Sequence, residues 1–359
     1  MKAVALFCTI LLSLASQAQQ IDSFHFNQRR IMSLALDANI PAALKAMSWD
    51  GQQPLAVKDA TFKAAFENRF FYAEDRSDYL AGRQAGIDSL LLLFRDYWRK
   101  ALLDTATNYD QYFIDRYRQF IKARFPQVTD ADLDKDSTDQ YLQQYLAAKQ
   151  LHTTNGIGKT GKLFDLLLWK QEQDTTYSFA LPGETIATPV IFLTDFVSLG
   201  WEEYATLGRL FPGGWTTRKG IYCVKQSYNL QSEQFLISLL AHEGRHYSDY
   251  KLFPKLSSAD LEYRGKLTEL SMARTTLYDL LTFFINNANR ASNNGHSVAN
   301  YYVIHDLSKV LFNKEFESDV ALWKQLPSDK LNKAALQVLQ TNTNALGARG
   351  KEATTLFGR

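Results

Sequence analysis

The segment "SLLAHEGRHYSDY", residues 238–250, decides how the rest of the sequence is interpreted. His242 and His246 stand four residues apart in it, and Glu243 directly follows the first histidine. On a helix, two residues at this spacing lie on successive turns of one face, so both imidazoles can converge on one metal ion. Glu243 lies at the edge of that face and can reach a metal-bound water without binding the metal. The segment therefore predicts a metal site with a general base beside it.

The residues around this segment predict the helix that carries it. Asn229 and Ser232 are both suitable N-terminal caps. Phe235 and Leu239 are spaced from the two histidines by the helical repeat, which predicts that all four side chains share one face. Gly244 is expected to leave space above the helix for a substrate.

The pattern His242-Glu243-x-x-His246 resembles the zincin metallopeptidases. The resemblance extends, as an arrangement of strands followed by two helices, over residues 160–290. It implies a zinc ion, a water activated by that ion, and peptide bond hydrolysis. Glu243 would serve as general base and then as proton donor to the leaving amine.

The third metal ligand is not given by this segment. In the metzincin branch a glycine and a third histidine follow, but Asp249 and Leu252 stand at those positions, which excludes that branch. Asp249 lies seven residues after His242, about 10 Å along a regular helix, whereas a ligand lies about 2.1 Å from zinc. Asp249 is therefore predicted either to orient His246 from behind or to be a solvated carboxylate near the helix end.

In the gluzincin branch the third ligand is a glutamate on the following helix. The segment "FPKLSSADLEYRGKLTEL", residues 253–270, predicts such a helix. Pro254 ends the preceding segment, and Ser257 followed by Asp260 resembles a capping box.

Two glutamates on this second helix lie seven residues apart and hence on nearly the same face, Glu262 and Glu269. Gluzincins often have a small residue three positions after the ligand, and Gly265 occupies that position relative to Glu262. Glu262 is therefore predicted as the third ligand, with Glu269 as the alternative. The glutamate that does not bind metal is expected to pair with Arg264 or Lys266.

Many zincins stabilise the oxyanion with a histidine or tyrosine downstream of the motif. In "NNGHSVANYYVIH", residues 293–305, His296 follows a turn and is predicted for this role. The remaining candidates are side chains in the same segment and within the motif: Tyr301, Tyr302, His305, Arg245 and Tyr247.

The pattern along the chain predicts an α+β fold that is predominantly helical. Residues 1–18 predict a signal peptide, with a positive Lys2, an apolar run and a cleavage site at "SQA". Residues 19–150 predict a helical region, 151–290 a zincin-like core, and 291–359 a helical C-terminal region. In the core, a small sheet is expected to pack on the motif helix. Its predicted strands cover residues 162–171, 175–181, 188–198 and 220–228, with the polar residues 172–174 joining the first two. The last strand is expected to form the substrate-binding edge.

Composition narrows the function further. The formal net charge of the whole chain is +2, which gives no strong field for nucleic acid or anionic membrane. Only Cys223 remains after the predicted cleavage, so the mature chain has no internal disulfide. We therefore expect a periplasmic or secreted zinc metallopeptidase that acts on peptides or proteins and has no stable membrane insertion. The alternative is a catalytically silent zincin-like scaffold of the cell envelope. The sequence leaves the oligomeric state open.

Overall fold

The structure, a computed structural model, describes residues 23–79, 87–153, 158–292 and 294–357. The predicted signal peptide lies outside these residues. The described chain is α+β and mostly helical, which confirms the predicted class. None of its helices combines the length and the apolar character needed to span a bilayer.

The N-terminal part of the described chain consists of helices around an aromatic-rich core. Phe94, Trp98 and Tyr117 are fully buried in it, and Trp201 joins them from a later segment. These rings come from apolar positions at helical spacing, so the amphipathic pattern accounts for the packing. The helices are α1 (Gln28–Leu36), α2 (Ile40–Ala46), α3 (Val57–Phe70), α4 (Asp88–Leu103), α5 (Asp110–Lys122) and α6 (Lys135–Ala147).

The middle of the chain forms a five-stranded sheet with strand order β1-β4-β5-β7-β6 in the described residues, and β2 and β3 pair separately. All neighbouring strands are antiparallel except β5 and β7, which run parallel. The strands are β1 (His152–Thr153), β2 (Lys159–Thr160), β3 (Leu163–Phe164), β4 (Leu167–Leu181), β5 (Glu184–Leu199), β6 (Gly214–Thr217) and β7 (Gly220–Val224).

Strands β4 and β5 form one long hairpin, so the predicted break at residues 172–174 is wrong. These polar residues continue β4 and pair with β5 through Asp174 and Ile191. They are polar because their side chains are exposed, and exposure does not interrupt a ladder of main-chain hydrogen bonds. The hairpin turns at Pro182 and Gly183, where the glycine φ of +85° suits the third position of a type II turn.

The edge of the sheet nearest the motif helix is β6, not the predicted segment 220–228. That segment forms β7 only as far as Val224, and β7 pairs with β5 on one side and β6 on the other. Strand β6 falls in the glycine- and tryptophan-containing connection after β5, which also contains the short helix α7 (Trp201–Ala205). Because β6 is four residues long, its alternation was too short to recognise from sequence.

The motif helix has two parts: a π-helix at Gln234–Ala241 and the α-helix α8 (His242–Leu252). Ser232, one of the two predicted caps, accepts a hydrogen bond from the Phe235 main-chain N–H at 3.2 Å. Phe235 and Leu239 pack into the sheet, whereas the first histidine faces the next helix. The predicted common face is therefore wrong, because a π-helix has a different repeat from an α-helix and turns its side chains to another side.

The C-terminal part is helical, as predicted, and packs around α9. Ser257 caps α9 as expected, accepting a hydrogen bond from the Asp260 main-chain N–H at 3.2 Å. Leu267, Leu277 and Val303 lie in the shared core. The helices are α9 (Ser258–Met272), α10 (Leu277–Asn286), α11 (Gly295–Phe312), α12 (Val320–Lys324) and α13 (Ser328–Arg349).

A buried ion pair joins the motif helix to the helix after it. The Arg264 guanidinium on α9 donates to both carboxylate oxygens of Asp249 on α8, at 2.7 and 3.0 Å. Both side chains are fully buried. Arg264 also donates to Asn342 and Thr343 on α13, at 2.8 and 3.0 Å, so three helices meet at one guanidinium.

We predict that Asp249→Asn lowers the free energy of unfolding by roughly 3 to 5 kcal/mol, because it leaves the buried Arg264 charge without its partner. Urea unfolding in the presence of a chelator, followed by circular dichroism, measures the change without any contribution from bound metal. Asp329→Asn is the matched control, since the Arg274–Asp329 pair is exposed on both sides and contributes little. Equal unfolding midpoints for the two variants would contradict the prediction.

Candidate functional site

Helices α8 and α9 bring three possible metal ligands together: His242, His246 and Glu262. All three side chains are buried, and their donor atoms lie within 4.8 Å of one another. His242 Nε2 lies 3.4 Å from Glu262 Oε2, and His246 Nε2 lies 3.4 Å from Glu262 Oε1. Two ligands about 2.1 Å from a tetrahedral ion are roughly 3.4 Å apart. The spacing of these donors therefore matches that of ligands around one small cation.

Glu269, the alternative third ligand, lies on the other side of the first imidazole. Its carboxylate contacts His242 Nδ1, and it does not join the cluster with His246. A carboxylate that accepts a hydrogen bond from Nδ1–H orients the ring so that Nε2 points toward Glu262. Glu269 therefore fixes the ring orientation of His242, instead of pairing with Arg264 or Lys266 as the sequence suggested.

The second imidazole is buried without a hydrogen-bond partner. Neither Nδ1 nor Nε2 of His246 has one within the described part of the chain. The expectation that Asp249 orients His246 is wrong, because both Asp249 oxygens are bound to Arg264. A buried, unsatisfied imidazole is costly, and a cation at Nε2 would offset that cost. Two imidazoles and one carboxylate are also a donor set that suits zinc.

The close approach of α9 to α8 requires a glycine at position 265. A Cβ on Gly265 would lie 2.7 Å from both Cε1 and Nε2 of His242, closer than carbon atoms pack. The predicted small residue three positions after Glu262 therefore allows the first imidazole to lie directly against α9.

The buried charges of the site are strongly coupled. Burial lowers the pKa of His242, but the Glu269 and Glu262 carboxylates outweigh burial and raise it to about 10. Burial acts to raise the pKa of Glu262, but the three histidines around it hold that pKa well below its usual range. The buried Lys266 ammonium lies 3.8 Å from Glu262 Oε2 and 4.7 Å from the centre of the Phe284 ring. The Glu262 carboxylate thus stays ionised in a buried setting because positively charged groups surround it.

Glu243, the predicted base, is half-buried and fixed by the edge strand. The Thr216 hydroxyl on β6 lies 2.7 Å from Glu243 Oε2 and 3.0 Å from its main-chain oxygen. One hydroxyl proton serves one of these acceptors at a time. Thr216 therefore connects the sheet edge to Glu243, which places β6 beside the three clustered donors.

His296 lies in the first turn of α11, at the mouth of the cluster. Its Nδ1 lies 2.8 Å from Glu262 Oε2, and 63% of its side chain is exposed. The other candidate residues are engaged elsewhere. Arg245 binds Glu184, Lys251 lies over the Tyr247 ring, and three side chains contact other parts of the C-terminal region: Tyr301, Tyr302 and His305.

The face of α8 at Gly244 is covered, so the predicted space for substrate is wrong. A Cβ on Gly244 would lie 2.6 Å from Phe179 Cζ and 2.8 Å from Ile186 Cδ1. The hairpin tip is held there by Glu184, which accepts hydrogen bonds from Arg245 and Ser248. The tip of the β4–β5 hairpin therefore closes this side of the helix.

Two contributors to the site were missed by sequence reasoning, Thr216 and the role of Lys266 beside Glu262. Thr216 belongs to a four-residue strand with no motif of its own. Lys266 stands one helical turn after Glu262, and this i,i+4 spacing was the available signal.

Comparison of the chain with protein-family models, with curated proteins and with solved structures gives no match.

Proposed function

We propose that this chain is a zinc-dependent hydrolase of peptide or related amide bonds, with a zincin-like core in which α8 and α9 hold the ion. The observation that carries the proposal is the convergence of His242, His246 and Glu262 beside Glu243. Zinc, when bound by these three donors, would supply Lewis acidity. The group of residues resembles a gluzincin ligand set in type and order.

Glu243 would carry out the proton transfers of the reaction. Its carboxylate would take a proton from the attacking water and return it to the leaving amine. The Thr216 hydroxyl would hold one carboxylate oxygen in place, so the other oxygen carries the proton. His296 would supply the oxyanion contact, because its Nδ1 faces Glu262 while most of the ring is open to solvent.

Strand β6 would position the substrate. It is the sheet edge next to α8, so its outer main-chain groups are available to an extended peptide within the described structure. Pairing of this kind gives affinity with little demand on sequence. The rival is the zincin-like scaffold of the cell envelope, which would hold metal without hydrolysis; the presence of Glu243, fixed by Thr216, favours the enzyme.

We predict about one zinc per chain in protein purified without a histidine tag or added metal. His246→Ala and Glu262→Gln should each abolish zinc retention, because each removes a ligand. Glu269→Gln should weaken zinc affinity about 10- to 100-fold, because it removes only the contact that orients His242. Elemental analysis and competition with a chelator measure both effects.

The matched control for these variants is His305→Ala, which removes a histidine held by Asp306 and Glu315 away from the cluster. It should retain zinc. Circular dichroism shows that each variant is folded. A folded wild-type chain that takes up no zinc from a stoichiometric supply would overturn the proposal.

We predict that Gly265→Ala weakens zinc affinity at least tenfold, because the added methyl group displaces the His242 ring. Gly347→Ala on α13 is the matched control. Its Cβ would have no neighbour within 4 Å, so it should leave zinc affinity unchanged. Titration against a chromophoric chelator measures both, and equal affinities would argue against the close contact between Gly265 and His242.

We predict that Glu243→Gln retains zinc and lowers peptide hydrolysis at least about a hundredfold, since it removes the general base. The assay is digestion of a peptide mixture by zinc-loaded protein, read by mass spectrometry. Glu352→Gln, which changes an exposed carboxylate, is the control. Hydrolysis that survives in Glu243→Gln contradicts the assigned base, and a zinc-loaded wild type that cleaves nothing supports the scaffold.

A further inference from the structure

A concave feature lies beside α8, the helix that carries His242 and His246. It is a pocket of about 300 Å³. Its lining residues come from α8, from the segment after it and from the β6–β7 turn: Arg218, Tyr247, Tyr250, Lys251 and Pro254. No carboxylate is among them.

The pocket lies within reach of the proposed reaction. Tyr247 directly follows the ligand candidate His246. Burial, reinforced by the negative charges of Glu243 and Glu262, raises the pKa of the Tyr250 hydroxyl, so this residue is close enough to sense both carboxylates. The pocket and the candidate site therefore both use side chains of α8.

The pocket also continues the edge strand. Arg218 follows the last residue of β6 and stands two positions after Thr216, which contacts Glu243. Two residues of extended chain span roughly 7 Å. A peptide that lies along β6 with its reacting bond near Glu243 would thus carry a neighbouring side chain or its terminus past Arg218.

Two cations face this position without a countercharge. Arg218 and Lys251 are exposed, and neither forms an ion pair with another described residue. The Lys251 ammonium lies 3.8 Å from the centre of the Tyr247 ring, which holds it at the pocket wall. An arginine fork suits a carboxylate in a bidentate arrangement, and a nearby ammonium adds a second positive charge.

We propose that this pocket binds a carboxylate of the substrate, and that the protein therefore selects peptides with an acidic side chain or a free C-terminus next to the bond that reacts. This inference rests on the proposed hydrolase for its biological meaning. Two sources supply the same chemistry, an Asp or Glu side chain and a terminal carboxylate, and the experiment separates them.

The experiment measures binding, so that it does not depend on turnover. Zinc-loaded Glu243→Gln protein is incubated with a mixture of random octapeptides, acetylated at one end and amidated at the other. Mass spectrometry reads the retained fraction. A second mixture lacks acidic residues and contains each peptide with a free and with an amidated C-terminus. We expect about tenfold enrichment of Asp and Glu over Asn and Gln in the first mixture, or of the free over the amidated terminus in the second.

Variants test whether the preference for a carboxylate depends on the pocket. In the same background, Arg218→Ala should abolish the enrichment, and Arg218→Glu should reverse it in favour of Lys and Arg. Lys219→Ala is the matched control, because it removes the same charge from the same turn but does not line the pocket. It should keep the enrichment, which separates a local contact from a general field effect.

The outcomes distinguish the two proposals. The carboxylate pocket would be overturned by equal retention of acidic and neutral peptides together with equal retention of free and amidated termini, by absence of retention, or by equal loss in Arg218→Ala and Lys219→Ala. Each of these results would count against it even if the wild type hydrolyses peptides. Enrichment that depends on Arg218 supports the pocket. If such enrichment occurs while the zinc-loaded wild type cleaves none of the retained peptides, the hydrolase is overturned and the pocket stands.

Discussion

The buried ion pair between Arg264 and Asp249 fixes helices α8 and α9 against each other, and the candidate site depends on that fixed relation. Asp249 lies one helical turn after His246, and Arg264 lies two residues after Glu262. A bidentate pair has a narrow range of geometry, so it limits both the sliding and the rotation of the two helices. Gly265 then sets how closely they approach. The Arg264–Asp249 pair and the absence of a side chain at Gly265 together bring the candidate metal ligands of the two helices to one point.

The sheet serves the site from the other side of α8. Its apolar face receives the π-helix before the motif, its long hairpin covers Gly244, and its edge strand supplies Thr216 to Glu243. The open approach to the donors therefore lies on the side of β6 and His296.

The electrostatic design of the site is a compact set of opposite charges. Glu262 and Glu269 are buried, and each is placed against an imidazole, with the Lys266 ammonium near the first. Buried charges are tolerated only where partners compensate them. In contrast, Arg218 and Lys251 at the neighbouring pocket have no countercharge among the described residues. The charges at the three clustered donors are paired, whereas the two cations at the pocket are not. For this reason we propose metal binding at the donors and substrate selection at the pocket.

The sequence by itself determined the α+β, mostly helical class, the helix that carries His242 and His246, and the cap of the next helix. It also favoured Glu262, with Gly265 three residues later, as the glutamate that lies with the two histidines. These features depend on local periodicity, capping and spacing, which a single chain displays directly. Only the tertiary structure showed which residues pair with Asp249 and Glu269, and that the π-helix directs Phe235 and Leu239 to a different side from the histidines. It alone also showed that the hairpin tip covers Gly244 and that Thr216 contacts Glu243. Those outcomes depend on which distant segments pack together. They also depend on which of several cationic side chains competes best for a given carboxylate. Local pattern does not encode that competition, so the sequence left Asp249 either as a contact of His246 or as a solvated carboxylate. The structure shows neither, because Asp249 is buried against the Arg264 guanidinium of another helix.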